Sequence, residues 1–365
     1  MDVIIDGYIF HAQKVGGISR IFNEVLPILH SLDPSLSIKI LMQSWKPDVH
    51  GQIDQIIVPN LEKYFRPWTL WREFHPLLNG LLINQKTKQT KNKIFHSSYY
   101  RSLKGWQGKQ VLSVYDLIHE KYPELFIDAR KVLYLKSQAF KRADHIICIS
   151  ETTKEDLIQS YHIPKEKISV CRLAYNEQFR IVESIQINFR VDTPFILYMG
   201  GRSPYKGFSD LAKAYSQWKF RDDVRFVVVG EAWTKQEQEL LSRLGIEDCV
   251  LLFNYVSDQQ LCDLYNQARA FVYPSHYEGF GIPLLEAMVC GCPLIASDIP
   301  STREVAGTVP FYFEVGNLEN LVEVLNRCIE TELRSSKQVK AGLDWARQYS
   351  WQKTAQAFLE VYRNL

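Results

Sequence analysis

Apolar residues fall into two alternating patterns along the chain. Short runs rich in Val, Ile, Leu and Phe, bounded by Gly, Pro, Asp or Ser, predict strands buried on both faces. They lie at 3–5, 37–42, 94–96, 111–114 and 145–149, then at 195–199, 225–229, 250–253, 270–273 and 293–296. Between them apolar positions recur every three or four residues, the face of an amphipathic helix. That pattern covers 19–32, 132–142 and 152–161 in the first half, and 207–218, 235–244, 258–268, 283–290 and 318–332 in the second. Strand–helix alternation at this spacing builds βαβ units and therefore parallel sheets.

Periodicity fades over 172–194, which marks a boundary. The prediction is an α/β chain of two Rossmann-like, doubly wound domains, 1–175 and 176–350, facing a central cleft, with a last amphipathic helix over 351–365. At 365 residues each half can bury its own core. Ligands in such sheets bind past the carboxyl ends of the strands, so the loops that follow strands are where chemistry belongs.

Composition narrows the class. Apolar residues at 46% and charged residues at 23% are ordinary for a soluble globular chain and exclude disordered or collagen-like ones. No apolar run nears the ~18 residues of a membrane span. The opening MDVIIDGYIF has Asp2 and Asp6 where a signal peptide carries Lys or Arg, so the expected location is cytoplasmic. Seven Cys without CxxC spacing read as reduced thiols, with 290–292 as a small-residue turn. The net charge of +2 hides an asymmetry: 23 Lys/Arg against 17 Asp/Glu in residues 1–170, and 20 against 24 in 171–365. A basic first half suits an anionic partner.

The stretch from Tyr273 to Asp298 is richest in candidate chemistry. A strand is followed by Glu278-Gly279-Phe280-Gly281-Ile282 and then Pro283, which favours the first helical position, so the spacing predicts a helix from there to Gly291. The glycines allow close backbone approach, and free N–H groups of Leu284 and Leu285 at the helix start form an anion site. Glu278 and Glu286 flank that start and suit hydroxyls on either side of a phosphate. Glu286 alone reads equally as a first-turn Glu complementing the helix dipole. Arg202 and Lys206 lie in GGRSPYKG, the loop after the second half's first strand, where a guanidinium fork and an ammonium suit a diphosphate.

Gly16-Gly17 after the first strand allows either close approach of a ligand or only a tight turn. Asp116 and His119 follow the strand at 111–114 and face the same rim, as polar contacts to a reacting group or as structural residues. Phe65, Trp68, Trp71 and Phe74 alternate with Arg66 and Arg72, ahead of Lys86, Lys88, Lys91 and Lys93. This 64–93 stretch reads as peripheral contact with the inner face of an anionic membrane, or equally as a packed helix with a solvated basic loop. No dinucleotide fingerprint, P-loop, HExxH or DxD occurs, and nucleic acid fits poorly, so neither metal nor cofactor is expected.

Together these residues resemble the family 4 retaining glycosyltransferases, which have the GT-B fold. The resemblance rests on E-x7-E at Glu278 and Glu286 inside EGFGIPLLEAM, on GGIS at 16–19, GGRSPYKGF at 200–208, YVSDQQLCDLYNQA at 255–268 and SWQKTAQAFLEVY at 350–362. It implies a nucleotide-sugar donor, UDP- or GDP-linked, on the second domain, and a saccharide or lipid-linked acceptor on the first. Glu286 would hold the ribose and Glu278 a donor-sugar hydroxyl. Backbone at Phe280, Gly281 and Ile282 would meet the sugar, and Leu284 and Leu285 the phosphate. Arg202 and Lys206 would neutralise the leaving diphosphate, and main chain near Val256 would read the base. Gly17 would approach from the first domain, onto which the last helix packs. Where many relatives have His-Asp, this chain has Tyr115-Asp116, with His119 three residues on. The implied reaction is sugar transfer with retention, in glycan or polysaccharide synthesis and without metal. The alternatives are a non-catalytic nucleotide-sugar-binding subunit and a GT-B sugar-nucleotide epimerase.

Overall fold

The computed structural model describes residues 1–12, 16–42, 53–57, 81, 83–85, 93–183, 191–330 and 337–365. They form two compact units: Met1–Leu173 with Ser350–Leu365, and Ala174–Tyr349.

The first unit is built on a parallel sheet of β1 (Asp2–Asp6), β2 (Ser37–Met42), β3 (Asp54–Ile57), β4 (Lys93–Ser97), β5 (Lys109–Val114), β6 (His145–Cys148) and β7 (Ile168–Val170). Their order is β3-β2-β1-β4-β5-β6-β7, so the winding reverses between β1 and β4. The helices are α1 (Tyr8–Ala12), α2 (Gly17–Leu32), α3 (Ile118–Lys121), α4 (Ala129–Arg142) and α5 (Glu151–Tyr161). β1 and β4 are buried almost throughout, as strands covered on both faces must be. Lys93, expected in a solvated basic loop, instead opens β4, buried, with its ammonium 5.7 Å from the Trp106 ring centroid. The remainder of the named aromatic and basic residues of the 64–93 stretch lies outside the described residues.

The second unit repeats the plan with β8 (Phe195–Met199), β9 (Arg225–Val229), β10 (Val250–Phe253), β11 (Ala270–Tyr273), β12 (Leu294–Ser297) and β13 (Phe311–Phe313), in the order β10-β9-β8-β11-β12-β13. Its helices are α6 (Phe208–Gln217), α7 (Lys235–Leu244), α8 (Asp258–Gln267), α9 (Ile282–Val289), α10 (Pro300–Ala306), α11 (Leu318–Glu330) and α12 (Lys337–Ala346). Ile196, Tyr198, Phe226, Val228 and Val272 on the sheet pack with Phe208, Leu211, Tyr215 and Trp218 of the α6 segment in one core.

The last helix, α13 (Trp351–Arg363), returns to the first unit and lies on α2. Its Tyr362 hydroxyl is 2.6 Å from His96 Nδ1 in β4, and Arg363 bonds Asp33 Oδ2 at 2.7 Å.

Candidate functional site

In the second unit the winding reverses between neighbouring strands β8 and β11, and a doubly wound sheet holds ligands at that switch point. Two loops flank it. One leaves β8 through Gly200 (φ +132°), Arg202 and a 3₁₀ turn, Pro204–Lys206, and enters α6 through Gly207. Gly207 has φ +69°, and a Cβ there would lie 2.0 Å from the Pro274 carbonyl oxygen, so only glycine lets this loop touch the loop leaving β11. Further bonds stitch the two together. His276 donates its N–H to Tyr205 O at 2.7 Å, and its Nε2 is 2.8 Å from Asp210 Oδ2 on the first turn of α6. That hydrogen bond holds the Asp210 carboxyl below its usual range.

The stitching brings two predicted residues together. Lys206 Nζ lies 2.8 and 2.9 Å from the two oxygens of Glu278, with Glu278 the more buried partner. The Tyr273 phenol is buried beside the same carboxylate; burial, then the Glu278 charge, push its pKa far up, so it stays protonated. A cation and an anion meeting at the switch point can serve a ligand that carries both phosphate and hydroxyl groups.

Arg202 is anchored differently. Its Nε bonds Glu237 Oε1 at 2.7 Å, and Nη2 reaches the carbonyls of Glu231 and Ala232 at 2.9 and 3.0 Å. The guanidinium carbon stands 4.7 Å from the Trp233 ring centroid. Among the described residues only Nη1 is left, buried and without a hydrogen-bond partner. Glu237 also closes the capping box of α7 with Thr234, so one carboxylate fixes a helix start and the arginine.

The helix after Glu278 departs from expectation in three ways. It starts at Ile282, not Pro283, behind Gly281 with φ +128°. The Leu284 N–H is not free: it donates to Gly281 O at 3.0 Å, and neither Leu284 nor Leu285 exposes any surface, so the expected anion site is closed at both positions. Glu286 is not on the first turn and does not answer the helix dipole; it lies one turn on and is 2% exposed. Its charge adds to burial in raising the Tyr265 phenol. Gly279 and Phe280 are buried, with the Phe280 ring against Tyr349, and Ile282 is half-buried. Gly291 has φ +64° and ends α9 as expected. Val256 is half-buried in the turn between β10 and α8.

In the first unit Gly16 precedes α2 with φ −178°, ordinary extended backbone. A side chain at Gly17 would meet no atom of the described residues within 4 Å, so packing among them does not require a glycine at that position. Asp116 accepts the Ile118 N–H at 3.0 Å and so opens α3. His119 stands half-buried on α3 with its ring 4.2 Å from Phe126, and burial, helped by Lys136, lowers its pKa. Tyr115 is buried with its hydroxyl on Ser98 O at 2.9 Å, a core residue.

Sequence reasoning missed Tyr273, His276, Asp210 and Glu237. His276 and Tyr273 stand inside the stretch singled out for its chemistry; Glu237 lies 35 residues from Arg202, beyond any local spacing rule. Among the described residues, no group of three or more His, Cys, Asp or Glu is placed to hold a metal ion, and no helix is long and apolar enough to cross a membrane.

Two family models tile most of the chain: "Glycosyltransferase Family 4" matches residues 27–178 and "Glycosyl transferases group 1" matches 179–345. The chain belongs to the family 4 glycosyltransferases. This family 4 chain is 25% identical, over 64% of its length, to the O-antigen chain mannosyltransferase B of Escherichia coli. It is 29% identical, over 60% of its length, to the O-antigen chain mannosyltransferase RfbU of Salmonella typhimurium. The matches span 65% and 63% of those relatives, just under two thirds of each. In fold it is similar to sucrose-phosphate synthase from Thermosynechococcus elongatus, with a TM-score of 0.78 at 18% identity, covering 100% of this chain and 98% of that one. It is also similar to Anabaena HepE in complex with UDP-glucose, with a TM-score of 0.76 at 18% identity and 100% coverage of both chains. The family 4 chain thus has the GT-B fold of two parallel-sheet α/β domains.

Proposed function

We propose that the chain moves a hexosyl group from a nucleoside-diphosphate sugar to a saccharide or lipid-linked acceptor, with retention, in the synthesis of a surface glycan. The observation that carries this reading is the Lys206–Glu278 pair at the switch point of the second unit. The O-antigen mannosyltransferase relatives and the UDP-glucose complex of HepE support the substrate class. In this reading Lys206 meets the diphosphate and Glu278 a hydroxyl of the transferred sugar, while each keeps the other as counter-charge. Arg202 offers Nη1, its one nitrogen without a partner among the described residues, to the same diphosphate. Glu286 takes the ribose once it is uncovered, and Gly17 gives room for close approach.

The bond from the anomeric carbon to the diphosphate oxygen breaks, with its electron pair leaving on the diphosphate. The acceptor oxygen bonds to the same face of that carbon, and its proton passes to the departing diphosphate. Stabilising the charge that develops there is the main catalytic task, and preorganised cations perform it without solvent rearrangement. Arg202 and Lys206 supply those cations, so the transfer calls for no metal ion. Asp116 and His119 stand on the acceptor side as polar contacts.

The test incubates the full chain with UDP- and GDP-sugars and saccharide acceptors, and follows product mass with and without EDTA. A donor-dependent glycoside with retained configuration, formed equally in EDTA, is the expected result. Absence of binding or turnover with every nucleotide sugar would overturn the reading.

A further inference from the structure

Among the described residues Lys136, on α4, is the lysine that exposes no surface at all. An ammonium is expensive to bury unless it is paired. Lys136 is held on three sides. Its Nζ lies 2.8 Å from Glu120 Oε2, donates to the Asp116 carbonyl at 3.1 Å and stands 4.9 Å from the Tyr100 ring centroid. The Tyr100 hydroxyl donates to the same carbonyl at 3.5 Å. Tyr100 has left-handed backbone, φ +51°, which is costly for a tyrosine. Burial of its ring against Lys136 and Phe140 offsets that cost.

These bonds converge on α3, the four-residue helix that carries His119. A single turn does not hold itself together, because nucleation is unfavourable and one turn returns few hydrogen bonds. It is held from outside. Asp116 and Glu120 bracket His119 in sequence, and Lys136 grips both, one by its carbonyl and the other by its carboxylate. The second Glu120 oxygen accepts the Tyr161 hydroxyl of α5 at 2.7 Å, and Lys121 pairs with Asp156 of α5 at 2.6 Å. Neutral residues of similar volume in place of a buried ion pair are often as stable or more so, and stability alone does not call for a charge at 136. What the ammonium adds is a fixed seat for the segment 116–120 against α4.

We infer that Lys136 is a positioning residue for the acceptor side of the transfer: meeting no substrate itself, it holds the segment 116–120 and so sets where Asp116 and His119 stand. The inference rests on the proposed function, in which those two residues meet the acceptor. The ammonium also acts on His119 through space. His119 Nδ1 is buried without a partner among the described residues. Burial and Lys136 disfavour a charged ring there, whereas Asp116, Glu120 and Asp128 favour one, and the balance lies with the neutral imidazole.

The test measures glycoside formation by the full-length protein from UDP- and GDP-sugars and a panel of methyl glycosides, varying donor and acceptor in turn. It compares wild type, Lys136→Met and Lys136→Met/Glu120→Gln, with thermal midpoints as the folding control. Lys136→Met leaves the Glu120 charge unpaired and lowers the midpoint. The double variant removes both charges while the new amide still accepts the Tyr161 hydroxyl, and it keeps the wild-type midpoint. In both variants acceptor kcat/KM falls by about tenfold or more, towards the ~10²-fold that a misplacement of about 1 Å costs, and donor KM is unchanged. The His119 Cε1 proton resonance, assigned by its absence from His119→Gln, titrates at higher pH in Lys136→Met than in wild type. Wild-type acceptor kinetics in the double variant overturn the inference and leave the proposed function intact, since Lys136 would then be structural only. An equal rise in donor KM also overturns it, because the defect would not lie with the acceptor. An unshifted His119 resonance overturns the through-space effect. If the wild type forms no glycoside from any donor, the proposed function falls and this role with it.

Discussion

Lys206 and Glu278 come from loops 72 residues apart in sequence, yet the ion pair between them is the most specific feature of the site. Residue chemistry predicted what each could do, but not that they would neutralise one another. An ammonium whose contact to diphosphate strengthens as charge develops acts on turnover more than on ground-state binding. Lys206→Ala should therefore lower kcat by about 10²–10³, the range for loss of one preorganised donor, with a smaller change in donor KM. Steady-state kinetics with a saturating acceptor measures both, and an unchanged kcat would remove Lys206 from the chemistry. Two glycines make a contrasting pair. Gly207→Ala drives a methyl into the Pro274 carbonyl at a backbone angle of +69° and should cost about 2 kcal/mol or more in urea unfolding. Gly17→Ala meets no atom of the described residues within 4 Å and should unfold within about 0.5 kcal/mol of wild type; on the proposed function, in which that space admits a ligand, it should lose transfer activity. A stable and fully active Gly17→Ala would refute that role. Arg202 shows the limit of reading residues singly. Its fork suits a diphosphate, but Glu237 and two carbonyls occupy most of it, and no local spacing announces a partner 35 residues away.

At the scale of elements, β8, β9 and β11 coincide with their predicted ranges, because central parallel strands are apolar on both faces and read as unbroken runs; the edge strand β10 coincides too, through its apolar Val-Leu-Leu-Phe run. Strands β3, β7 and β13 have four, three and three residues and are only partly buried, so no run announces them. The short helices α10 and α12 were equally silent, α10 having seven residues with polar ones among those buried. The site was legible as a set of loops following strands; the bonds joining those loops were not. Helix α13 shows what such non-local bonding does to stability. The buried His96 joins it to the sheet, with Nδ1 2.6 Å from the Tyr362 hydroxyl and Nε2 2.8 Å from Ser113 Oγ in β5. Burial pulls the His96 pKa down to about 3, against 6.5 for an exposed imidazole. Between these values the unfolded chain binds a proton that the folded chain refuses. The stability His96 contributes is thus complete above pH 6.5 and declines as the pH falls towards 3, by about 1.4 kcal/mol per unit. His96→Gln should lose about 2 kcal/mol less than wild type between pH 6.5 and 5, read as urea midpoints multiplied by slope. Parallel curves would show that some other group carries the acid sensitivity.

The whole chain crosses between its two units twice, at 173/174 and again at 349/350, so α13 completes a unit begun some 350 residues earlier, at Met1. Each unit holds its own sheet and its own buried core, as the clusters around Trp218 in the second and around Phe140 in the first show. Units with separate cores unfold with their own enthalpies, and two-state behaviour belongs to each unit more than to the whole. Lys206, Glu278, Arg202 and Glu286 all belong to the second unit, whereas Gly17, Asp116 and His119 belong to the first. Calorimetry of the full chain should therefore resolve two transitions. Saturating nucleoside diphosphate should raise mainly the one belonging to the second unit, by RT ln(1 + [L]/Kd), about 2.7 kcal/mol at a hundredfold excess over Kd. The transitions can be assigned independently. Tyr362→Phe leaves His96 Nδ1 buried without a partner and should lower only the first unit's transition, by about 1–3 kcal/mol. Gly207→Ala should lower only the second. A nucleotide that raises both transitions equally would mean that the nucleotide is gripped by residues of both units, and Gly17→Ala would then weaken nucleotide binding as well as transfer. A rise confined to the second unit leaves the acceptor as the ligand for which the first unit supplies the specificity.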